Sequence, residues 1–277
     1  MLVVPASITC FFSPEIHSNP LKSGSLGVGI AIKHGVRVKL CKGNDREHVI
    51  FNGRSIKFPT VEYVLKTFQC NCVEIFSDLP LGCGFGISGA STLATLIEIN
   101  KKFKLSKSIV DLADFAHKAE VLNKTGLGDI VTQFHGGVVV RLSPGSPSRA
   151  LVKKLNWDLK LDILIMGPMN TKEILESQSI NKIKKIGKLC LRNFLKEPTV
   201  ENLFKQSKIF SVETNLITNK IRDIIEAVEA EGGLASMVMI GNSVFAYKGY
   251  NALKNFGNVI SSEINNKGVK ELSPSEL

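Results

Sequence analysis

The sequence predicts an α+β protein in two domains, and three observations carry this prediction. Residues 143–148, SPGSPS, combine two prolines and a glycine with serines, a composition typical of a linker. Strand-like and helix-like segments alternate on both sides of it. Beyond it, apart from extra helices, the order is β-α-β-β-α-β, which folds as an antiparallel sheet with helices on one face. We therefore expect an N-terminal domain at 1–150 and a C-terminal domain at 151–277.

The elements of the first domain follow from hydrophobic spacing and turn residues. Val36, Val38 and Leu40 alternate with polar residues, as on a half-buried strand. Ser108, with Asp111 three residues later, has the spacing of a helix capping box. The predicted elements are, in order, strands VVPASITCFF and LGVGIAIKHGVRVKLC, a helix near 60–68, strand VEIFSD, helices near 90–103 and 109–122, and strand GGVVVRL.

The second domain has the predicted order of a ferredoxin-like layer. Its first strand is followed by helices, then by two strands that can pair directly, then by a short helix and a last strand. The predicted elements are strand LDILIMG, helices near 172–195, 199–211 and 216–230, strands LASMVMIG and SVFAYKG, a helix near 250–256, and strand NVISSEI.

Composition places the chain among soluble globular proteins. Of its 277 residues, 44% are hydrophobic and 22% charged, which is close to the average for such proteins. The N-terminal MLVVPASITCFF lacks a basic segment and contains Pro5, so we predict a strand there and no signal peptide. The uncharged window 79–97 holds four glycines and a proline, which argues against a membrane span. We therefore expect a cytoplasmic protein with no membrane partner.

Cysteine spacing and net charge exclude fewer classes of protein. The six cysteines show neither a C-x2-C pair nor histidines at zinc spacing, so we expect reduced, mostly buried thiols. A net charge of +10 is compatible with an RNA-binding protein or with an enzyme that handles an anionic small substrate. The lysines are scattered, and KIKKIGK at 182–188 alternates with isoleucine as in an amphipathic helix. We therefore expect no nucleic-acid partner.

The stretch LPLGCGFGISGAS, residues 79–91, places four glycines between a predicted strand and a predicted helix. Such a loop presents backbone N–H groups and the positive end of a helix dipole to an anion. Gly84, Gly86 and Gly89 would let a triphosphate lie against the main chain, and Ser88 adds a hydroxyl for a metal or phosphate oxygen. The sequence contains no G-x4-G-K-(S/T) loop. It also contains no G-x-G-x-x-G that opens a helix after a strand and is followed about twenty positions later by the acidic residue of a dinucleotide-binding site.

PLGCGFGISGA resembles the P-x3-G-(L/F)-G-x-S-(S/A/G)-A motif of the GHMP kinases. NPLKSGSLGVGI, AHKAEVLNKTGLGDIVTQFHGGVVVRLSPGSP and GGLASMVMIGNSVFA resemble, in this order, the branch of that family that phosphorylates pantoate in archaea. The resemblance implies a ribosomal-S5-like N-terminal domain before the ferredoxin-like one, and a homodimer. It also implies transfer of phosphate from ATP to the 4-hydroxyl of pantoate, a step towards coenzyme A.

The resemblance assigns roles to individual residues. It implies that Ser88 and Glu120 hold Mg²⁺ and that Asp129 is the catalytic base. Phosphoryl transfer demands mainly positioning and charge neutralisation, which a metal-bound hydroxyl and carboxylate with a second carboxylate can supply. It further implies that the nucleotide is held by the motif residues Pro80, Gly84, Phe85, Gly86, Ser88, Gly89 and Ala90.

Each of these residues also has a purely structural explanation. Glu120 follows Ala113 and Ala116 on an apolar helix stripe that should face inward, yet it could be an exposed glutamate at a helix end. Asp129 and Ser88 could be helix N-caps. His117 and Glu120 have the i, i+3 spacing of a metal pair, but no third zinc ligand lies near them in the sequence.

Substrate contacts are predicted in three segments. The loop HSNPLKSGSLGVG offers Ser23 and Ser25 to a small polyol acid, and Lys22 could meet its carboxylate. Gly128, in TGLGD, and Ser236, in EGGLASMVMIG, complete the predicted set. A solvated turn at the first segment and an ordinary core strand at the last are the alternatives.

Two departures from the family motifs bear on the chemistry. The family usually opens with a motif whose basic residue lies near the catalytic aspartate, whereas VPASIT places Ser7 there. Another group must then tune Asp129, or its role is less that of a base. Ile87 replaces the first serine of a common double-serine motif. A mevalonate, homoserine or shikimate type of kinase, or a family lyase that phosphorylates and then decarboxylates, remains an alternative activity.

Overall fold

A computed structural model describes residues 2–41, 48–169 and 180–272. Within these ranges, eleven strands form two sheets, and eight helices pack against them. The structure confirms the predicted α+β class. In the described residues, no helix is both long enough and apolar enough to cross a membrane.

The first sheet has seven strands, in the order β4-β3-β5-β2-β6-β7, with β1 paired along β2. All its pairs are antiparallel except β3 with β5. The long strand β2 therefore organises this half, because it pairs with β1, β5 and β6. The strands are β1 (Val4–Glu15), β2 (Gly24–Leu40), β3 (His48–Phe51), β4 (Arg54–Ile56), β5 (Cys72–Ser77), β6 (Val138–Arg141) and β7 (Val152–Leu155).

Four helices pack with this sheet and carry some of the predicted site residues, including Glu120 and Asp129. Ser108 and Asp111 cap the third helix reciprocally, which confirms the predicted capping box. The second helix begins at Ile87, three residues before the predicted start, because the chain enters the helix before its last motif glycine. The helices are α1 (Pro59–Thr67), α2 (Ile87–Phe103), α3 (Ile109–Asn123) and α4 (Asp129–His135).

The second sheet is antiparallel, in the order β11-β8-β10-β9, which is the ferredoxin-like order predicted from the sequence. Its strands are β8 (Lys160–Gly167), β9 (Leu234–Met237), β10 (Asn242–Tyr247) and β11 (Val259–Glu263). Its helices are α5 (Ile180–Lys196), α6 (Val200–Glu213), α7 (Asn219–Ala230) and α8 (Tyr250–Leu253). The first residues of the helix predicted at 172–195, up to 179, lie outside the described residues.

Three strands were not predicted, because segments of three or four residues show too little periodicity. β3 and β4 form a small hairpin at the edge of the first sheet. β7, with the sequence VKKL, pairs with β6. The first sheet therefore extends to Leu155, beyond the domain boundary expected at 150.

The cysteine expectation was wrong for one pair. Cys41 and Cys72 form a disulfide across the neighbouring strands β2 and β5, with their Cα atoms 5.3 Å apart. Sequence spacing gave no sign of it, because the two residues are separated by 31 positions. The other four cysteines are free and buried, as expected: Cys10, Cys70, Cys83 and Cys190.

The two halves of the molecule meet across β1. The backbone N–H of Met239 donates to the carbonyl oxygen of Thr9 at 3.1 Å, and Ser207 Oγ donates to the Cys10 carbonyl at 2.8 Å. Helix α5 is amphipathic, as predicted from its lysines, and buries Ile183 and Gly187. These contacts place one strand of the first sheet directly under the helices of the second half.

The contact of α5 with β1 depends on the absence of a side chain at Gly187. A Cβ atom there would overlap the carbonyl oxygen of Phe12. We predict that Gly187→Ala lowers the free energy of unfolding by about 1–3 kcal/mol, since it overpacks a buried contact. Urea denaturation measures this loss. Lys185→Ala, on the exposed side of the same helix, is the control. Equal stability of the two variants would contradict the close contact of Gly187 with β1.

Candidate active site

The glycine loop between β5 and α2 needs glycine for two separate reasons. Gly82, Gly84 and Gly86 all have left-handed backbone angles, with φ of 76°, 87° and 60°. The loop is also crowded: a Cβ atom on Gly84 would lie 2.7 Å from Val238 Cγ1 and 3.0 Å from the Met239 carbonyl oxygen. The segment after β9 therefore presses against the loop and fixes its shape.

The start of α2 leaves backbone amides without hydrogen-bond partners in the described part of the chain. Gly86 is the N-cap and provides no side-chain cap, so Ser88 is not the cap. The amide groups of residues 87–89 have no acceptor among the described residues, and the first turn contains no acidic side chain. Unpaired amides at the positive end of a 17-residue helix attract an anion.

The other residues predicted to bind the nucleotide differ in how exposed their side chains are. Pro80 is exposed at the entrance of the loop. Phe85 and Ala90 have buried side chains in the hydrophobic core, and Gly89 is buried as well. Only the backbone of these three residues could therefore meet a ligand. Their role in nucleotide binding stays a prediction.

Ser88 and Glu120 are in direct contact. Ser88 Oγ donates to Glu120 Oε1 at 2.6 Å, and Glu120 is only 2% exposed, so it is not a solvent-facing glutamate. Burial raises the pKa of Glu120 to about 7, the Ser88 hydrogen bond opposes this, and the charge of Asp129 adds to it. Behind this pair, buried Thr60 lies 3.2 Å from Ser88 Oγ and accepts from Thr92.

Asp129 is positioned by β1 and does not cap its helix. The N-cap of α4 is Gly128, without a side-chain cap. Asp129 Oδ1 accepts from Ser7 Oγ at 2.9 Å and lies 3.5 Å from Thr9 Oγ1. Burial raises the pKa of Asp129, while the hydrogen bond from Ser7 and the positive charge of Arg141 act in the opposite direction.

The two carboxylates converge beside Gly126. A Cβ atom at this glycine would lie 2.7 Å from Glu120 Oε2 and 3.3 Å from Asp129 Oδ2, so the two oxygens are at most about 6 Å apart. The described residues contain no group of three histidine, cysteine or acidic side chains that could hold a metal by themselves. A hydroxyl and a buried carboxylate suit a hard cation such as Mg²⁺, which takes further oxygens from water and phosphate.

The predicted substrate loop lies against α3. His117 Nε2 donates to the Ser23 carbonyl oxygen at 2.9 Å, so this histidine holds the loop, and burial lowers its pKa. The Ser23 hydroxyl bonds within the loop, to the backbone of His17. Ser25 Oγ lies 2.6 Å from the position of a Cβ on Gly128, which brings two predicted substrate residues together.

Two other predicted substrate residues do not join this group in the same way. Lys22 is exposed on the loop. Ser236 is fully buried on β9, and its hydroxyl donates to Ser207 at 2.8 Å. The residues that follow β9, at 238–241, contact the glycine loop instead. A substrate role for Ser236 stays a prediction.

Sequence reasoning missed Arg141, at the end of β6. It is 1% exposed; its Nε donates to the Ser25 carbonyl at 3.1 Å and its Nη1 to Thr132 Oγ1 at 2.9 Å. Its Nη2 has no partner among the described residues. A single arginine after three buried valines in GGVVVRL was the available signal, because a charge in an apolar strand requires a partner.

Comparison with known proteins agrees with this geometry. Residues 56–137 match the model of the GHMP kinases N terminal domain. The chain is 36% identical to the pantoate kinase of Methanocaldococcus jannaschii over 270 residues, covering 95% of this chain and 98% of that protein. It is 33% identical to the pantoate kinase of Thermococcus kodakarensis, covering 88% and 85% of the two chains.

Solved structures show the same fold. A phosphotransferase related to the coenzyme A biosynthesis pathway superposes with a TM-score of 0.83 at 27% identity, covering 96% of this chain and 95% of that chain. Homoserine kinase from Cytophaga hutchinsonii superposes with a TM-score of 0.68 at 19% identity, covering 96% and 95%, a likeness of fold alone. The chain therefore belongs to the pantoate kinases, a branch of the GHMP kinase family.

Proposed function

We propose that the protein is a pantoate kinase, which transfers the γ-phosphoryl group of ATP to the 4-hydroxyl of pantoate in coenzyme A biosynthesis. The observation that carries a kinase function is the convergence of Glu120 and Asp129 beside an open helix N-terminus. The substrate follows from relatives named pantoate kinase that match nearly the whole chain.

The glycine loop binds the triphosphate. GHMP kinases use ATP as phosphate donor, and the free amides at 87–89 suit its phosphate oxygens. Gly86 takes the left-handed backbone angle that starts the helix here, with φ of 60°, and so places the phosphates where the helix dipole is strongest. The loop is packed from behind by residues 238–241, so it is rigid before nucleotide binds.

Ser88 Oγ and Glu120 would hold Mg²⁺. These two residues suit Mg²⁺ because they supply a hydroxyl and a carboxylate. The second carboxylate oxygen, Glu120 Oε2, lies beside Gly126. When bound, Mg²⁺ supplies charge neutralisation for the phosphates. Glu120 must lose its proton to bind the cation.

Asp129 takes the proton from the attacking hydroxyl. Its Oδ1 is engaged by Ser7, so Oδ2, beside Gly126, is the oxygen available to pantoate. A pKa raised by burial brings this carboxylate closer to the working pH, which favours a general base. As the hydroxyl oxygen bonds to the γ-phosphorus, the bond to the β-phosphate breaks and ADP leaves.

Pantoate would lie between the loop 22–25 and Gly128. Ser25 Oγ is unengaged among the described residues and can bond a hydroxyl of the substrate. Arg141 lies beneath Ser25 and Gly128, and its buried positive charge favours an anionic substrate. Lys22 and Ser23 remain proposed contacts. We also propose a homodimer, on the family resemblance, and a cytoplasmic location.

The direct test offers ATP and Mg²⁺ with pantoate, pantothenate, mevalonate, homoserine or shikimate. We expect ADP release with pantoate, a phosphomonoester signal in phosphorus NMR and no carbon dioxide. Asp129→Asn, which keeps the shape of the side chain, should lower kcat by about 10²–10⁴-fold while thermal unfolding is unchanged. Turnover of another acid but not pantoate would overturn the substrate, and an active Asp129→Asn variant would overturn the base.

Magnesium activation should depend on pH through Glu120. Because its pKa is raised to about 7, protons compete with Mg²⁺ below that pH. We predict that the Mg²⁺ concentration for half-maximal activity rises about tenfold for each pH unit below 7. Glu120→Gln is the control, because it removes this proton but leaves the titration of ATP itself. The same pH dependence in both proteins would contradict the assignment.

A further inference from the structure

The proposed kinase chemistry leaves one feature of this chain unexplained. Neutral, buried side chains form a hydrogen-bonded link between Asp129 and the glycine loop. Ser7 lies in the first half of β1 and is fully buried. Its backbone N–H donates to the Phe85 carbonyl oxygen at 3.0 Å, and its hydroxyl donates to Asp129 Oδ1 at 2.9 Å. One residue therefore touches both the glycine loop and the carboxylate.

Gln133 makes a second link between the same parts. It lies one turn after Asp129 on α4 and is fully buried. Its Nε2 donates to the Gly86 carbonyl oxygen at 2.8 Å and to Ser7 Oγ at 3.3 Å. Because the carbonyl can only accept, the nitrogen must face it, which fixes the orientation of the amide.

The direction of the hydrogen bonds is then determined. Ser7 has one hydroxyl proton, which goes to Asp129, so its oxygen accepts from Gln133. The chain runs from the Gln133 amide through the Ser7 hydroxyl to Asp129 Oδ1. The space is closed, since a Cβ atom on Gly86 would overlap Ser7 Oγ and lie 2.9 Å from Asp129 Cβ.

We propose that Ser7 and Gln133 are positioning residues that tie Asp129 to the glycine loop, so that the base is aligned when the loop holds phosphate. Ser7 directs Oδ1 away from the substrate, which leaves Oδ2 for the proton. Gln133 sets the carbonyl of Gly86, at the turn where the first free amides of α2 begin. This inference rests on the proposed kinase function.

The test compares Ser7→Ala, Gln133→Met and the double variant. Ser7→Ala should lower kcat about 10–100-fold through misplacement of the base, with the KM for ATP changed less than about threefold. Gln133→Met should raise the KM for ATP and also lower kcat. The double variant should lose no more kcat than the worse single variant, because both residues act through one chain of bonds.

A pH profile distinguishes misalignment of Asp129 from a general loss of structure. The Ser7 hydrogen bond lowers the pKa of Asp129, so its loss raises that pKa. At saturating Mg²⁺, where protonation of Glu120 no longer limits activity, this moves the acid limb of kcat/KM for pantoate to higher pH. Glu120 and Arg141, the other charged groups that act on Asp129 or lie beside it, are unchanged in these variants. An unmoved acid limb in Ser7→Ala, or kcat losses that multiply in the double variant, would overturn the proposal.

Two matched controls report the cost of changing a buried polar group. Ser13→Ala removes a buried hydroxyl on the same strand that has no partner in the described residues. Gln206→Met removes a buried amide on α6. Both should keep wild-type kcat and pH profile. If the wild-type protein does not phosphorylate pantoate, the rise in melting temperature on adding ATP still tests the proposal. Gln133→Met should lose most of this rise, and Gln206→Met should keep it.

Discussion

The left-handed turn at Gly86 is the constraint on which the rest of the site depends. It lets the chain pass from β5 into α2, and the amides of residues 87–89 have no acceptor among the described residues. Every other element of the site is placed relative to this turn. Strand β1 reaches it through Ser7 and helix α4 through Gln133, while the segment after β9 packs against Gly84, two residues earlier in the loop.

The acidic residues gain their chemistry from burial. A carboxylate without water or a cation is disfavoured, so the pKa of both Glu120 and Asp129 is raised. The two charges also lie within a few ångströms of Gly126, which makes a cation more favourable there. The positive charge of Arg141 acts in the opposite direction, since it lowers the pKa of Asp129. In the proposed function, the two buried carboxylates would attract Mg²⁺ and the hydroxyl of the substrate.

Much of this arrangement could be predicted from the sequence. The glycine motif, the inward stripe that carries Glu120 and the order of the second sheet all depend on local spacing, which a sequence displays. The family resemblance placed Ser7 near Asp129, and helical spacing placed Gln133 on the same face as Asp129. The buried Arg141 was not predicted, because its contact with Ser25 joins residues far apart along the chain. The Cys41–Cys72 pair and the polar strand β7 escaped prediction for the same reason, since pairing across a sheet defines them.

A crystal structure with a non-hydrolysable ATP analogue, Mg²⁺ and pantoate tests the central claim most directly. The account predicts phosphate oxygens on the amides of residues 87–89, the cation between Ser88 and Glu120, and the pantoate hydroxyl beside Asp129 Oδ2. Triphosphate bound away from the start of α2, or a pantoate hydroxyl out of reach of Asp129, would contradict it.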